Sequence, residues 1–394
     1  MNTAPAILDR APTATTRRIL CVVRYPVGGI RTHLRYNYPL LAERGYRFTF
    51  VLPAETNSEP LATTFADLPD AEFVPVPGRG SGCRLAPTIR RVLRRGGFAA
   101  IHSHGFTSAV QTVLGSWGFG LPHVATVHDV IRPVQFPGWT GWLKRQALGC
   151  LLRQVDTLIP VGEDVRENLL EYLPPLRGRR DRLVIIRNGI DAGHYARVRQ
   201  PERELRHELA LDPGTPLWGF LGRLMEQKGF LPLAEALARF RARRPDAAFH
   251  VVAFASGDHA VAYQRRVGEL GLADRVTFRP AVPDIAPILP QLDLLLMPSL
   301  WEAAPLLALE AMVAGVPVLG SDCIGLREAL RDTPSRTPPA GDVAALADAL
   351  EDAWQSPWDE AARAFAPTAA ARFDNAASAR ALLDLLDRTT GGRP

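Results

Sequence analysis

The chain is poor in cysteine, has no long apolar run and does not begin with a segment of the signal-peptide kind. Four cysteines occur in 394 residues, and Cys21, Cys83, Cys150 and Cys323 stand far apart, with no Cys-x-x-Cys pair and no matching pair of histidines. That spacing excludes a disulfide framework and a sequence-local zinc site, so free buried thiols are expected. No stretch has the length of apolar residues that a membrane-spanning helix requires. Residues 1 to 16 are small, polar and proline-containing, without the apolar centre of a signal peptide, so they are expected to form a disordered tail on a cytoplasmic protein. Aromatic residues do not interleave with the arginine groups as a base-stacking platform would require, and nucleic acid is not an expected partner.

What is present fits a globular protein of ordinary composition, with 47% hydrophobic and 22% charged residues and enough length for two domains with real cores. The net charge of +5 conceals an asymmetry. Residues 1 to 200 carry 26 Lys and Arg against 15 Asp and Glu, a net +11, whereas residues 201 to 394 carry 20 against 26, a net −6. Two arginine groups lie in the first half, one at Arg79, Arg84, Arg90, Arg91, Arg94 and Arg95, the other at Arg177, Arg179, Arg180 and Arg182. A solvated surface accounts for either group, and an anionic partner is the alternative. Phe136-Pro137-Gly138-Trp139-Thr140-Gly141-Trp142-Leu143-Lys144-Arg145 opens an amphipathic run to about Arg153. Such a segment suits peripheral contact with an anionic membrane, or packing against a neighbouring helix.

Short apolar runs alternate with helical patterns throughout, the pattern of doubly wound parallel sheets. Strands are predicted near Ile19–Val23, Phe48–Leu52, Phe73–Val76, Ala99–His102, His123–Val127, Thr157–Val161 and Leu183–Ile186, then near Leu217–Leu221, Phe249–Phe254, Val276–Phe278, Leu292–Met297 and Val316–Leu319. A polar connector from Arg197 to about Glu208 separates the two series. The expected organisation is a first domain over residues 17–200, a second over 201–372, and a closing helix, about 373–394, that packs back on the first.

The richest stretch runs from Pro298 to Gly320. An apolar strand stops at Pro298-Ser299, and a helical pattern begins at Pro305, a first-turn position where the missing N–H of proline costs nothing. Gly315 closes that helix in the left-handed conformation, and Val316-Pro317-Val318-Leu319 supplies the next strand. Glu302 lies in the loop, and Glu310 lies five residues into the helix, roughly 7.5 Å along its axis from Pro305. Glu310 sits among apolar residues, so its carboxylate needs a partner. A diphosphate held by amides at the helix start would bring a ribose diol within reach of Glu310 and the far substituent near Glu302, the arrangement a nucleotide sugar needs. A chance Glu-x7-Glu spacing is the alternative.

Other polar groups fall at predicted strand ends, where open parallel sheets bind ligands. Gly28-Gly29 follows the first strand, suited to close backbone approach by a ligand or to a plain tight turn. His102 and His104 end one strand and His128-Asp129 the next. Gly222-Arg223 ends a strand in the second half, and Lys228-Gly229 opens the following helix; a planar fork and a mobile point charge together suit a diphosphate.

Pro298-Ser299, Glu302, Glu310-Ala311-Met312 and Gly315-x-Pro317-Val318 together resemble the signature of the GT-B glycosyltransferases of family 4, as do Gly222-Arg223-Leu224-x-x-x-Lys228-Gly229, Thr126-Val127-His128-Asp129 and Asn188-Gly189-x-Asp191. The chain departs from that pattern with Ala303-Ala304-Pro305 where Gly-Phe-Gly is usual, and with Ile324 where a glycine is usual; Pro305 removes one amide. The resemblance runs from about residue 17 to the end. It implies an α/β protein of two Rossmann-like domains facing a cleft, with the donor held mainly by the second and the acceptor by the first.

The implied activity is transfer of a sugar, with retention of configuration, from a nucleotide-diphosphate donor to a hydroxyl of a glycan, glycolipid or small molecule. Neither a metal nor another cofactor is implied. His128, Glu302, Arg223 and Lys228 carry over as catalytic residues, and Gly28, Gly29, Arg223, Lys228, Glu302, Ala303, Ala304, Pro305, Leu306 and Glu310 as donor-binding ones. A GT-B sugar-nucleotide 2-epimerase and a binding subunit without turnover are the alternative readings.

Overall fold

The structure, a computed structural model, describes residues 17–26, 28–53, 65, 68–76, 85–197, 204–257 and 260–391. The expected N-terminal tail, Arg79, Cys83, Arg84 and the boundary expected between residues 200 and 201 lie outside the described residues.

Six parallel strands form the first sheet: β1 (Arg17–Val23), β2 (Tyr46–Pro53), β3 (Glu72–Val76), β4 (Phe98–His104), β5 (His123–Val127) and β6 (Thr157–Pro160), in the order β3-β2-β1-β4-β5-β6. Five parallel strands form the second: β7 (Leu217–Arg223), β8 (His250–Ser256), β9 (Val276–Arg279), β10 (Leu294–Met297) and β11 (Val318–Gly320), in the order β11-β10-β7-β8-β9. Unbroken apolar runs such as Ile19–Val23, every residue of it fully buried, produce this class of sheet, because helices cover both faces. In each sheet the direction of winding reverses beside the first strand, between β1 and β4 and between β7 and β10. The crevice beyond the carboxyl ends of those strands is where ligands bind in open sheets of this kind.

Leu183–Ile186, expected as a strand, makes only an isolated bridge, Leu158 to Leu183. Val184 N and Ile186 N donate to Leu158 O and Pro160 O at 2.9 and 3.3 Å. Pro160 has no N–H to return, so the ladder cannot alternate. Cys21 and Cys323 are buried as expected, but Cys150 is exposed on the Gly138–Leu152 helix. Among the described residues no helix is long and apolar enough to cross a membrane.

Two of the junctions between the halves are built on backbone amides. Ile190 N donates to Phe373 O at 2.8 Å and Asn375 N to Ile190 O at 2.9 Å. Gly189 is pressed so closely there that a Cβ would stand 2.5 Å from the Asn375 Cα. From this point the Asn375–Gly391 helix returns to the first sheet, burying Leu382, Leu385 and Leu386 with Tyr38, Leu41 and Phe48. The second junction is reciprocal. Asp164 accepts from Gly325 N at 2.9 Å and from both Arg327 Nε and Nη2 at 2.9 and 3.0 Å, while Glu328 accepts from Asp164 N at 2.9 Å and Arg187 Nε at 3.0 Å.

Candidate active site

The two switch points face each other across a cleft of about 470 Å3, and all the site residues singled out from the sequence line it: Gly28, Gly29, His128, Arg223, Lys228, Glu302, Ala303, Ala304, Pro305, Leu306 and Glu310. Three helices begin at its rim, Gly29–Glu43, Phe106–Gly115 and Leu306–Val313. Their caps are Gly28, Gly105 and Pro305, and none makes a side-chain capping bond. Each helix start therefore turns unsatisfied amides and the positive end of a dipole toward the cleft, a ready place for an anion. Pro305 stands just before its helix rather than in the first turn, so Leu306 is the first helical residue. The expected left-handed closure is present at Gly315, with φ at 75°.

The second half contributes four charged side chains, Arg223, Lys228, Glu302 and Glu310. Glu302, 5% exposed, accepts from Lys228 Nζ at 2.6 Å and Ser299 Oγ at 2.8 Å through one oxygen, and from Gln227 Nε2 at 3.4 Å through the other. Gln227 also donates to Trp301 O at 3.0 Å and accepts Leu300 N on its carbonyl at 2.8 Å, so two loops are knitted into one wall. Gly229 makes that approach possible. Its φ is 66°, and a Cβ on it would fall 1.8 Å from Pro298 O. Arg223 is exposed in the cleft and makes no ion pair or side-chain hydrogen bond with any described residue, so its fork is free for an incoming anion. Lys228, expected to serve the same anion, is already engaged by Glu302.

Glu310 is buried on a helix whose surface is apolar nearly all round. The partner its position demands is the Tyr195 hydroxyl, which lies 3.5 Å from that of Tyr36. Burial pushes the Glu310 carboxyl up to about 7, against a smaller opposing effect of the Tyr195 hydrogen bond. Tyr195 and Tyr36 were missed in the sequence because they lie on two separate helices, far from Glu310 in the chain and with no local pattern linking them to it.

The first half contributes imidazoles. Tyr38 Oη lies 2.9 Å from both His102 Nδ1 and His104 Nε2, His102 Nε2 lies 2.8 Å from Thr126 Oγ1, and His104 Nδ1 lies 3.0 Å from His128 Nε2. His33, four residues beyond Gly29, stands beside them with its ring centre 4.9 Å from that of His128. Burial holds all of these rings neutral: His33 is lowered to about 4 and His102 to about 3, and His104 and His128 lie well below the usual histidine range, their neighbours adding to the effect. His128 is half-buried on the cleft wall.

A second cavity of about 330 Å3 opens beside His128, sharing Phe106, Thr107 and Asp129 with the cleft and lined further by Val110, Val130, Ile131, Phe136 and Leu148.

The Glycosyltransferase Family 4 model matches residues 27–194, and the Glycosyl transferases group 1 model matches residues 215–356. The alpha-maltose-1-phosphate synthase of Mycolicibacterium smegmatis is 30% identical over 247 residues, which are 59% of this chain and 62% of that protein, so the match spans less than two thirds of that relative. The D-inositol 3-phosphate glycosyltransferase of Pseudarthrobacter chlorophenolicus is 28% identical over 77% of this chain and 76% of that protein. A crystal structure of Anabaena HepE in complex with UDP and glucose has the same fold, with a TM-score of 0.78 and 21% identity over 94% of this chain and 100% of that one. One glycosyltransferase model falls on each sheet and its crevice, and the chain belongs to the GT-B glycosyltransferases of the family 4 kind.

Proposed function

We propose that the chain transfers a sugar, with retention, from a nucleotide-diphosphate donor to an acceptor hydroxyl, without a bound metal in the reaction. The observation that carries this reading is the free Arg223 fork opposite uncapped helix starts from both halves, with two buried carboxylates at different depths on the same wall. The diphosphate sits among those amides, Arg223 and Lys228, which stabilise the charge that develops as the leaving phosphate departs. Glu310 takes the ribose diol, and Glu302 lies toward the transferred sugar. His128 orients that sugar. The leaving phosphate itself helps to deprotonate the acceptor hydroxyl, a front-face path that needs no carboxylate nucleophile. The solved HepE complex holds UDP and glucose, which supports a nucleoside-diphosphate sugar as the donor class.

The acceptor enters from the first half, where the second cavity meets the cleft at Phe106, Thr107 and Asp129. Its apolar lining favours an acceptor with an apolar portion, among the glycans, glycolipids and small molecules that the fold admits. The Gly138–Leu152 helix borders that cavity through Leu148 and exposes Trp139 by 74%, Trp142 by 51% and Leu143 by 46%. These three fall on one face of the helix, and Lys144 stands beside them. A second reading follows from that face, in which the protein touches an anionic membrane peripherally at its acceptor side.

The test is a nucleotide panel followed by product analysis. Tight binding of a nucleoside diphosphate, then transfer with the anomeric configuration of the donor preserved, is expected. A 2-epimerised donor formed without any acceptor would establish the epimerase instead. Binding with neither transfer nor donor hydrolysis would establish the binding subunit.

A further inference from the structure

Three histidines that stand far apart in the sequence converge in space. His33 lies in the first turns of the Gly29–Glu43 helix, His104 ends β4 and His128 follows β5. One ring nitrogen from each lies within 4.8 Å of the others. His33 is 4% exposed, and its Nε2 is buried without a hydrogen-bond partner. Such an orphan is costly unless something occupies the space before it.

We propose that His33, His104 and His128 form a site for a borderline divalent metal of the Zn2+ class. His33 Nδ1 lies 2.8 Å from Asn188 Oδ1, closer than Asn37 Nδ2 at 3.3 Å, whose stronger bond is to His33 O at 2.7 Å; the N–H is therefore assigned to Nδ1, and the Nε2 lone pair is left for the metal. This is the outer hydrogen bond that orients a ligating histidine. His104 presents Nδ1 when its N–H moves to Nε2 and donates to Tyr38 Oη. Tyr38 then donates to His102 Nδ1, and His102 Nε2–H to Thr126 Oγ1, so the rearranged chain leaves no buried donor unpaired and no proton is released. His128 contributes Nε2, 3.0 Å from His104 Nδ1, close to the spacing of two nitrogens on one tetrahedral ion. Three imidazoles with a fourth position toward the cleft match a borderline metal, and no carboxylate is needed. Occupancy withdraws His128 from the sugar. The metal is therefore an inhibitor of the transfer proposed above, not its catalyst, and its binding stands whether or not that reading does.

The experiment uses the full chain stripped by EDTA and titrated with Zn2+ against a chromophoric chelator, with Co2+ as a spectroscopic probe. One equivalent of Zn2+ and an intense tetrahedral Co2+ spectrum are expected. His33→Gln and His128→Asn should each abolish the spectrum, and Asn188→Ala should weaken Zn2+ by roughly 10–100-fold, as loss of an outer partner does. His128→Asn alters a half-buried position on the cleft wall, and circular dichroism checks that both histidine variants remain folded. No stoichiometric Zn2+ in the wild type, or one equivalent retained in folded His33→Gln or His128→Asn, overturns the site.

Discussion

The two walls of the cleft differ in kind, and neither has the charge balance of the half that carries it. Residues 1–200 have a net charge of +11, yet the wall they supply is mostly imidazoles held neutral, hydroxyls and backbone amides, with Arg24 and Asp129, one charge of each sign, as its charged side chains. Residues 201–394 have a net charge of −6, yet their wall supplies the cations Arg223 and Lys228. Net charge thus describes a surface that meets solvent and large partners, whereas the site is set by which groups stand at a few strand ends. The ionic wall suits a leaving group that gains charge. The neutral wall suits a sugar and a hydroxyl, which do not.

The sharpest way to break this contrast is to remove its cations. Arg223→Ala should weaken nucleoside-diphosphate binding by about 1.5–3 kcal/mol, the range for hydrogen bonds to charged groups, with an unchanged melting temperature because the Arg223 side chain holds no other described residue. Lys228→Ala should lose a similar affinity but also lower the melting temperature, since it leaves the buried Glu302 with only Ser299 and Gln227. Calorimetry and thermal denaturation separate the two effects. Equal nucleotide affinity in wild type and both variants would remove the cations from the donor site.

The carboxylates sharpen the contrast on the ionic side. Glu302→Gln should depress kcat more than nucleotide affinity, and Glu310→Gln should do the reverse. Glu310 adds a pH signature. Its carboxyl is raised to about 7 in the folded protein from an ordinary value of 4.5, so the folded state holds more protons than the unfolded state between those values, and stability falls as pH rises through that window. Glu310→Gln should therefore melt higher than the wild type at pH 8 and lack this decline. Donor binding by the diol favours the ionised carboxylate, so wild-type affinity should fall as pH drops below about 7, and the Gln variant should show a weak, flat profile. A reversed pattern in the two variants would exchange the assigned roles.

The smallest effect concerns the outer face of the neutral wall. Trp139→Ala combined with Trp142→Ala should reduce co-sedimentation with anionic vesicles several-fold, and high salt should reduce it for the wild type. Equal partitioning of the wild type onto neutral and anionic vesicles would show that the basic half does not seek a membrane.

How much of this was legible follows from the range of each signal. The strands and the two carboxylates, Glu302 in the loop before the Leu306–Val313 helix and Glu310 within it, are local patterns, and the apolar surroundings of Glu310 announced a buried charge. Its partner Tyr195 was not legible, because a hydroxyl brought in by the Ala192–Arg197 helix leaves no mark near Glu310 in the sequence. Lys228 carried a further signal in composition, since Lys144 and Lys228 are the only lysines among 46 basic residues. Of the histidine cluster, His104 and His128 were legible as groups at the ends of successive strands, whereas His33, inside a helix, left no such mark. His33, His104 and His128 meet only because β1, β4 and β5 are consecutive neighbours in the sheet.

The exchange between Asp164 and Glu328 has a mechanical meaning. Each half lends the other the acceptor for a helix-start amide, and Arg327 and Arg187 tighten the same two carboxylates from outside. Drawing the halves apart would strip both helix starts at once, so the clasp yields as a unit and not bond by bond. Its guanidinium partners are more than half exposed, and salt screens them. The clasp should therefore loosen as the ionic strength of the surrounding solution rises.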